Sequence, residues 1–175
     1  MLKMFSTQLS GLFNRIQEHE DFAIEDGARL LAQAAVGDGK IYIYAKEEMK
    51  AVAFEAAESR EPLKNAATWP DGQSLDTVSD VDRFLIVARD SADKDAIAFA
   101  HGLKERETPF VAISTVNDEG KGLDGLADVH INLRLTKGLL PDETGNRFGF
   151  PSSMAALFVY YGIKFTLDEI LSEYE

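Results

Sequence analysis

Three short polar stretches each follow an apolar run: Lys46-Glu47-Glu48-Met49, Arg89-Asp90-Ser91-Ala92-Asp93 and Ser114-Thr115-Val116-Asn117. Together they hold the side chains best suited to a small polar ligand. Lys46 and Arg89 bring positive charge, Glu48, Asp90 and Asp93 negative charge, and Ser91, Ser114 and Thr115 hydroxyls. Hydroxyls and the N–H groups at a helix start hold anions, whereas carboxylates hold a ligand's hydroxyls, an amine or a metal. In the second stretch the acids decide the outcome. A helix N-terminus contributes about 0.3–2 kcal/mol to holding an anion, while one unit charge about 5 Å from another at an effective dielectric near 20 costs roughly 3 kcal/mol. Two aspartates therefore outweigh the helix against a phosphate dianion. Asp90 and Asp93 are expected to act as cap and first-turn carboxylate, using the N–H groups that phosphate would use.

Other chemical signals are weaker. The chain has no cysteine, which excludes disulfides, thiolate metal sites and a cysteine nucleophile. His19, His101 and His130 form no spaced ligand set. Gly120-Lys121-Gly122-Leu123-Asp124-Gly125 satisfies G-x-G-x-x-G, yet it stands in a late loop leading to a strand, so it is read as a mobile loop and not as a dinucleotide site. Asp168 and Glu169 suit a helix start, and Glu173 and Glu175 a solvated face. No cofactor and no metal are expected. A net charge of -12 without a Lys/Arg cluster excludes groove binding to nucleic acid. The longest run of apolar or small residues, Met154 to Ile163, is too short to cross a bilayer, and the first thirteen residues lack a signal-peptide core. A soluble cytoplasmic protein is expected.

The elements that position these stretches follow from periodicity. The 175 residues fit one domain. Apolar residues at Phe5, Leu9, Leu12, Phe13 and Ile16 line one helical face, and a second helix is expected from Asp21 as cap to the Gly37-Asp38-Gly39 stop. Lys40 to Ala45 reads as a strand buried on both faces and is followed by the helix-favouring KEEMKAVAFEAAE. Further strands are expected at Ala66–Trp69, Phe84–Ala88, Pro109–Ser114 and Val129–Leu133, with a helix over Ala92–Glu105. Glycines and prolines from Gly138 to Pro151 predict loop, then a helix opening at Pro151-Ser152-Ser153 and a last one capped by Thr166 with Glu169. The division is N-terminal helices over 1–36, a core over 40–133 and a C-terminal helix pair over 151–175. Alternating strands and helices give an α/β three-layer αβα sandwich around a five-stranded parallel sheet. Ligands on such sheets sit beyond the carboxyl ends of the strands where strand order reverses, which is the edge carrying all three polar stretches.

Two helices, then GKIYIYA and a helix, then DVDRFLIVARDSADKDAIAFAHGLKERETPFVAIST and a later LADVHINL, resemble a sugar isomerase (SIS) domain over roughly Asp21 to Leu133. The resemblance is to phosphoheptose isomerases and relatives of glucosamine-phosphate synthase and deaminase, and it implies sugar-phosphate ligands and a homo-oligomer, a dimer or tetramer. It also implies a glutamate base on the helix after the first strand, for which Glu58 of Ala56-Ala57-Glu58 is the candidate, one position nearer the first turn than the family spacing. The family's G-N-G-G-S turn is replaced here by Ala45 to Met49, without glycine, and its S-x-S-G-x-T turn by Ala88 to Asp93. The family's C-terminal histidine has no counterpart beyond His130. The expected function is binding of a sugar or sugar-phosphate derivative, with sugar-phosphate isomerisation as the activity if it is an enzyme. The alternative is a non-catalytic regulatory or assembly relative acting through its oligomer surface.

Overall fold

The computed structural model describes residues 1–174. Five parallel strands, β1 (Ile41–Ala45), β2 (Ala66–Thr68), β3 (Arg83–Asp90), β4 (Phe110–Thr115) and β5 (Val129–Asn132), lie in the order β2-β1-β3-β4-β5. The run Phe84 to Ala88 is wholly buried in the central strand because helices cover both sides of it. The chain moves outward from β1 to β2, then returns to lay β3 on β1's other side. The reversal therefore falls between β1 and β3.

The period of two along each strand sorts side chains into two cores. Ile41, Ile43, Leu85, Val87, Val111, Ile113 and Ile131 face α1 (Leu2–Ala35), α2 (Lys50–Glu58) and α5 (Ser152–Ser172). Phe84, Ile86, Ala88, Phe110 and Ala112 face α3 (Lys94–Glu105) and the one-turn helix α4 (Leu123–Leu126). Because β1-α2-β2 and β3-α3-β4 run in opposite directions across the sheet, right-handed crossovers place α2 and α3 on opposite faces.

Three expectations are corrected. The first 35 residues form one helix of 34 residues and not two. Asp21 caps nothing, because it lies inside a helix that no proline breaks and that runs on through Gly11 and Gly27, and the neighbouring Glu20 is buried, with Oε1 accepting from Arg134 Nε at 2.9 Å and Oε2 from the Asn132 N–H at 3.1 Å. The C-terminal pair is likewise a single helix of 21 residues. Thr166 Oγ1 donates to the Gly162 carbonyl one turn back instead of capping. Gly162 lies within this helix where Ile24 packs closely, 3.1 Å from where a Cβ would stand. The Gly138–Phe150 loop contains a small hairpin, β6 (Leu140–Pro141) and β7 (Arg147–Phe148), whose turn is closed by Asp142 Oδ1 accepting from the N–H groups of Thr144 and Asn146. Among the described residues no helix is long and apolar enough to cross a membrane.

Candidate functional site

The carboxyl edge of the sheet brings the turns after β1, β3 and β4 together. Residues Glu47–Met49 form a single 3-10 turn, and Glu47 has φ 50. That is the left-handed region in which glycine is favoured, so the turn keeps a glycine-type backbone without a glycine. β3 changes register against β4 between Val87 and Asp90, and Arg89 emerges at the edge. Its guanidinium spans the reversal point: Nε lies 2.8 Å from Glu48 Oε1, Nη2 2.6 Å from Glu48 Oε2, and Nη2 2.5 Å from Glu47 Oε2. The hydrogen bonds from Arg89 hold the Glu48 carboxyl below the usual carboxylate range. The gap between β1 and β3 is thus closed by an ion pair.

The turn into α3 is capped by its own acids. Asp93 Oδ1 accepts from the Ala96 N–H at 2.8 Å, and Asp90 Oδ1 accepts from the Ala92 N–H at 2.8 Å while its Oδ2 accepts from Asn117 Nδ2 at 2.5 Å. Asp93 is the helix cap, Asp90 the acid of the preceding turn and Asp95 the first-turn carboxylate. Ser91 is buried, donating its N–H to the Thr115 carbonyl and accepting from the Leu123 N–H through its own carbonyl. Leu123 reaches it because Gly122 carries no side chain: a Cβ there would stand 2.1 Å from the Ser91 carbonyl oxygen. The glycines of the Gly120–Gly125 stretch, expected as a mobile loop, instead permit close approach of two backbones.

An open cleft of about 740 Å³ lies on the α3 side, beside the closed gap. Its walls are Tyr44, Trp69 and Phe99, and its rim carries Lys46, Lys50, Asp71, Asp93 and Asp95. Tyr44 stacks on Phe99 with centroids 4.0 Å apart, and Trp69 stands edge-on to Tyr42 at 5.0 Å and Phe84 at 5.1 Å. Lys46 Nζ is 2.9 Å from Asp95 Oδ2, which raises the lysine's pKa and keeps it charged. Burial raises the Tyr44 hydroxyl, Lys46 opposes that rise, and Asp95, Asp93 and Asp71 add to it. The arrangement offers aromatic surface for an apolar ligand face and charged acceptors and donors for its polar groups.

Of the residues expected at the site, Lys46 and Asp93 line this cleft, while Glu48, Arg89, Asp90 and Ser91 are committed to closing and capping the edge. Ser114 and Thr115 are buried behind them. Ser114 Oγ lies 2.7 Å from His130 Nε2, and burial pushes the His130 imidazole down to about 4 against the opposing influence of Asp124. Glu58 is not brought to the cleft. It is the last residue of α2, which descends from the carboxyl edge to the opposite one. Tyr44, Trp69, Phe99, Lys50, Asp71 and Asp95 were not anticipated. The signal available was an aromatic ahead of the Pro70-Asp71-Gly72 turn, placed at the carboxyl end of the strand next to β1.

The chain is similar to several known proteins. It is 43% identical over 174 residues to the uncharacterized protein YwjG of Bacillus subtilis, covering 99% of each. In fold it is similar to the Vibrio vulnificus NanR protein complexed with ManNAc-6P, with a TM-score of 0.70 and 15% identity over 97% of this chain and 62% of that one. It is also similar to c3406 of E. coli CFT073, with a TM-score of 0.72 and 12% identity over 99% of this chain and 90% of that one. The sugar isomerase domain of an RpiR transcription factor from Sphaerobacter thermophilus matches with a TM-score of 0.60 and 15% identity over 99% and 94% of the two chains. The fold is therefore an SIS-like α/β architecture. The model of the family described as Domain of unknown function (DUF2529) matches residues 1–171, and the chain belongs to that family.

Proposed function

We propose that the protein binds a sugar or sugar-phosphate derivative in the cleft between Tyr44, Trp69 and the start of α3, without isomerising it. The observation that carries this reading is the aromatic-walled cleft, open at the carboxyl edge next to the point of strand reversal. Proteins of similar fold support the class of ligand: one is complexed with ManNAc-6P and another is a sugar isomerase domain. Lys46 and Asp93 are the residues of this edge that face such a ligand. Isomerisation needs an acid and a base flanking two adjacent sugar carbons. Glu58 stands at the opposite end of α2, and His130 is occupied by Ser114. A cytoplasmic location belongs to the same reading.

A thermal-shift panel of sugar phosphates, amino sugars, neutral sugars and nucleotides tests it. At least one sugar derivative is expected to stabilise the protein near millimolar concentration, and Tyr44→Ala or Phe99→Ala, which remove the aromatic wall, to remove the stabilisation. A flat response to every sugar contradicts the reading.

A second reading, assembly through an oligomer surface, is favoured by Met1, Leu2 and Met4, which are exposed at the start of α1. A concentration-dependent dimer or tetramer that is lost on Leu2→Glu with Met4→Glu supports it. A monomer at all concentrations contradicts it.

A further inference from the structure

We infer that the cleft takes an amine-bearing sugar without a phosphate group, a refinement that rests on the sugar-binding reading above. Its charge points that way. Lys46 and Lys50 face Glu47, Asp71, Asp93 and Asp95 around one opening, a net of two negative charges. Both lysines are already engaged, Lys46 Nζ at 2.9 Å from Asp95 Oδ2 and Lys50 Nζ at 3.4 Å from Asp71 Oδ2. The nearby Arg89 is taken by Glu47 and Glu48. No cation lining the cleft is left over for a phosphate dianion, and one of the first N–H groups of α3, that of Ala96, is already bonded to the Asp93 carboxylate, which would repel it. Acceptors, by contrast, are in surplus. Asp93 uses one carboxylate oxygen for the cap and Asp95 one for Lys46, so each retains an oxygen for an ammonium group.

A second feature addresses the rest of such a ligand. Trp69 is 5% exposed and lines the cleft, and its indole N–H has no acceptor among the described residues. Among the described residues the fully buried side-chain atoms without a partner are Asp124 Oδ1 and Tyr160 Oη, so the indole N–H is not sealed in the core. A tryptophan this deeply set ordinarily finds a partner for that proton. A ring or hydroxyl oxygen of the sugar supplies it. The stacked pair Tyr44 and Phe99 closes one side with apolar surface, against which the C–H face of a sugar ring rests.

Isothermal titration of the full chain at pH 6.5 with glucosamine, glucose, glucosamine 6-phosphate and glucose 6-phosphate tests the inference. Glucosamine is expected to bind at least tenfold more tightly than glucose and than either phosphate. Asp95→Asn, a change at an exposed side chain, is expected to weaken glucosamine at least fivefold and, by releasing Lys46, to narrow its lead over glucosamine 6-phosphate. Tighter binding of either phosphorylated sugar, or equal binding of glucose and glucosamine, overturns this inference and leaves the sugar site standing. Absence of binding by all four, together with a flat thermal-shift panel, overturns both.

Discussion

Arg89 and Glu48, 41 positions apart in sequence, meet in a two-pronged ion pair across the carboxyl ends of β3 and β1, with N–O distances of 2.8 and 2.6 Å. The pair lies where strand order reverses, so it covers the place at which a ligand of such a sheet is ordinarily held. Its effect on the carboxyl is measurable. Glu48 is expected to titrate below the ordinary glutamate value of about 4.3, and Arg89→Ala to return it toward that value in a side-chain carboxyl NMR titration. A depressed carboxyl stabilises the fold at pH above its unfolded value, and the contribution disappears as pH falls through the folded value. Both partners are well exposed, so the loss of stability in Arg89→Ala is expected to stay within about 1 kcal/mol.

Removing the acids from the α3 turn opens its N–H groups to an outside anion. Asp90→Ser combined with Asp93→Thr keeps a capping oxygen at position 93 while deleting two negative charges. Inorganic phosphate is expected to bind this variant at least tenfold more tightly than the natural chain, read by thermal shift over a phosphate series at constant ionic strength. An unchanged affinity means that the carboxylates do not occupy an anion site.

His130 gives the stability a defined pH dependence. Its imidazole is half-buried against Ser114 and is pushed down to about 4 by that burial, against an ordinary value of 6.5. Between these values the unfolded chain binds a proton that the folded chain does not, so stability falls as pH is lowered from 6.5 toward 4. The total for this group is on the order of 3 kcal/mol, at about 1.4 kcal/mol for each pH unit between the two values. Urea unfolding at intervals across that range is expected to show the slope, and His130→Gln to flatten it.

Gly122 has no room for a side chain. A Cβ there would stand 2.1 Å from the Ser91 carbonyl oxygen, so Gly122→Ala must push the loop off the β3–α3 turn and break the Leu123 to Ser91 hydrogen bond. The expected cost is about 2–4 kcal/mol, as for other strained backbone positions and lost buried hydrogen bonds. Gly120→Ala at φ 77 meets no neighbour and is expected to cost only about 1 kcal/mol, through its backbone angle. Chemical unfolding of the two variants separates contact from strain.

Local patterns carried much of the architecture. The unbroken apolar run Phe84 to Ala88 marks the central strand, while the helix expected over Ala92–Glu105 begins two residues later, at Lys94, because Asp93 is its cap and Asp90 closes the preceding turn. Helix boundaries at Asp21 and Thr166 misled because each residue type is also tolerated inside a helix when tertiary contacts hold the chain, as Arg134 does beside the first and Ile24 beside Gly162. The site was legible only in outline. Which turns share an edge follows from the alternation of strands and helices, but which side chains face one cleft depends on pairings such as Tyr44 with Phe99 and Arg89 with Glu48, and short-range spacing does not encode them. Trp69, read as the end of a strand, proves to be a wall of the cleft.

Trp69 is also the single tryptophan of the chain, so its emission reports on the cleft without interference from another indole. The most direct measurement of the central claim is a fluorescence titration, excited at the indole band, with neutral, amino and phosphorylated sugars. A saturable change in intensity or wavelength with at least one of them, lost in Tyr44→Ala or Phe99→Ala, is the predicted result. A sugar that binds by calorimetry yet leaves Trp69 emission unchanged would contradict the placement of the site in this cleft.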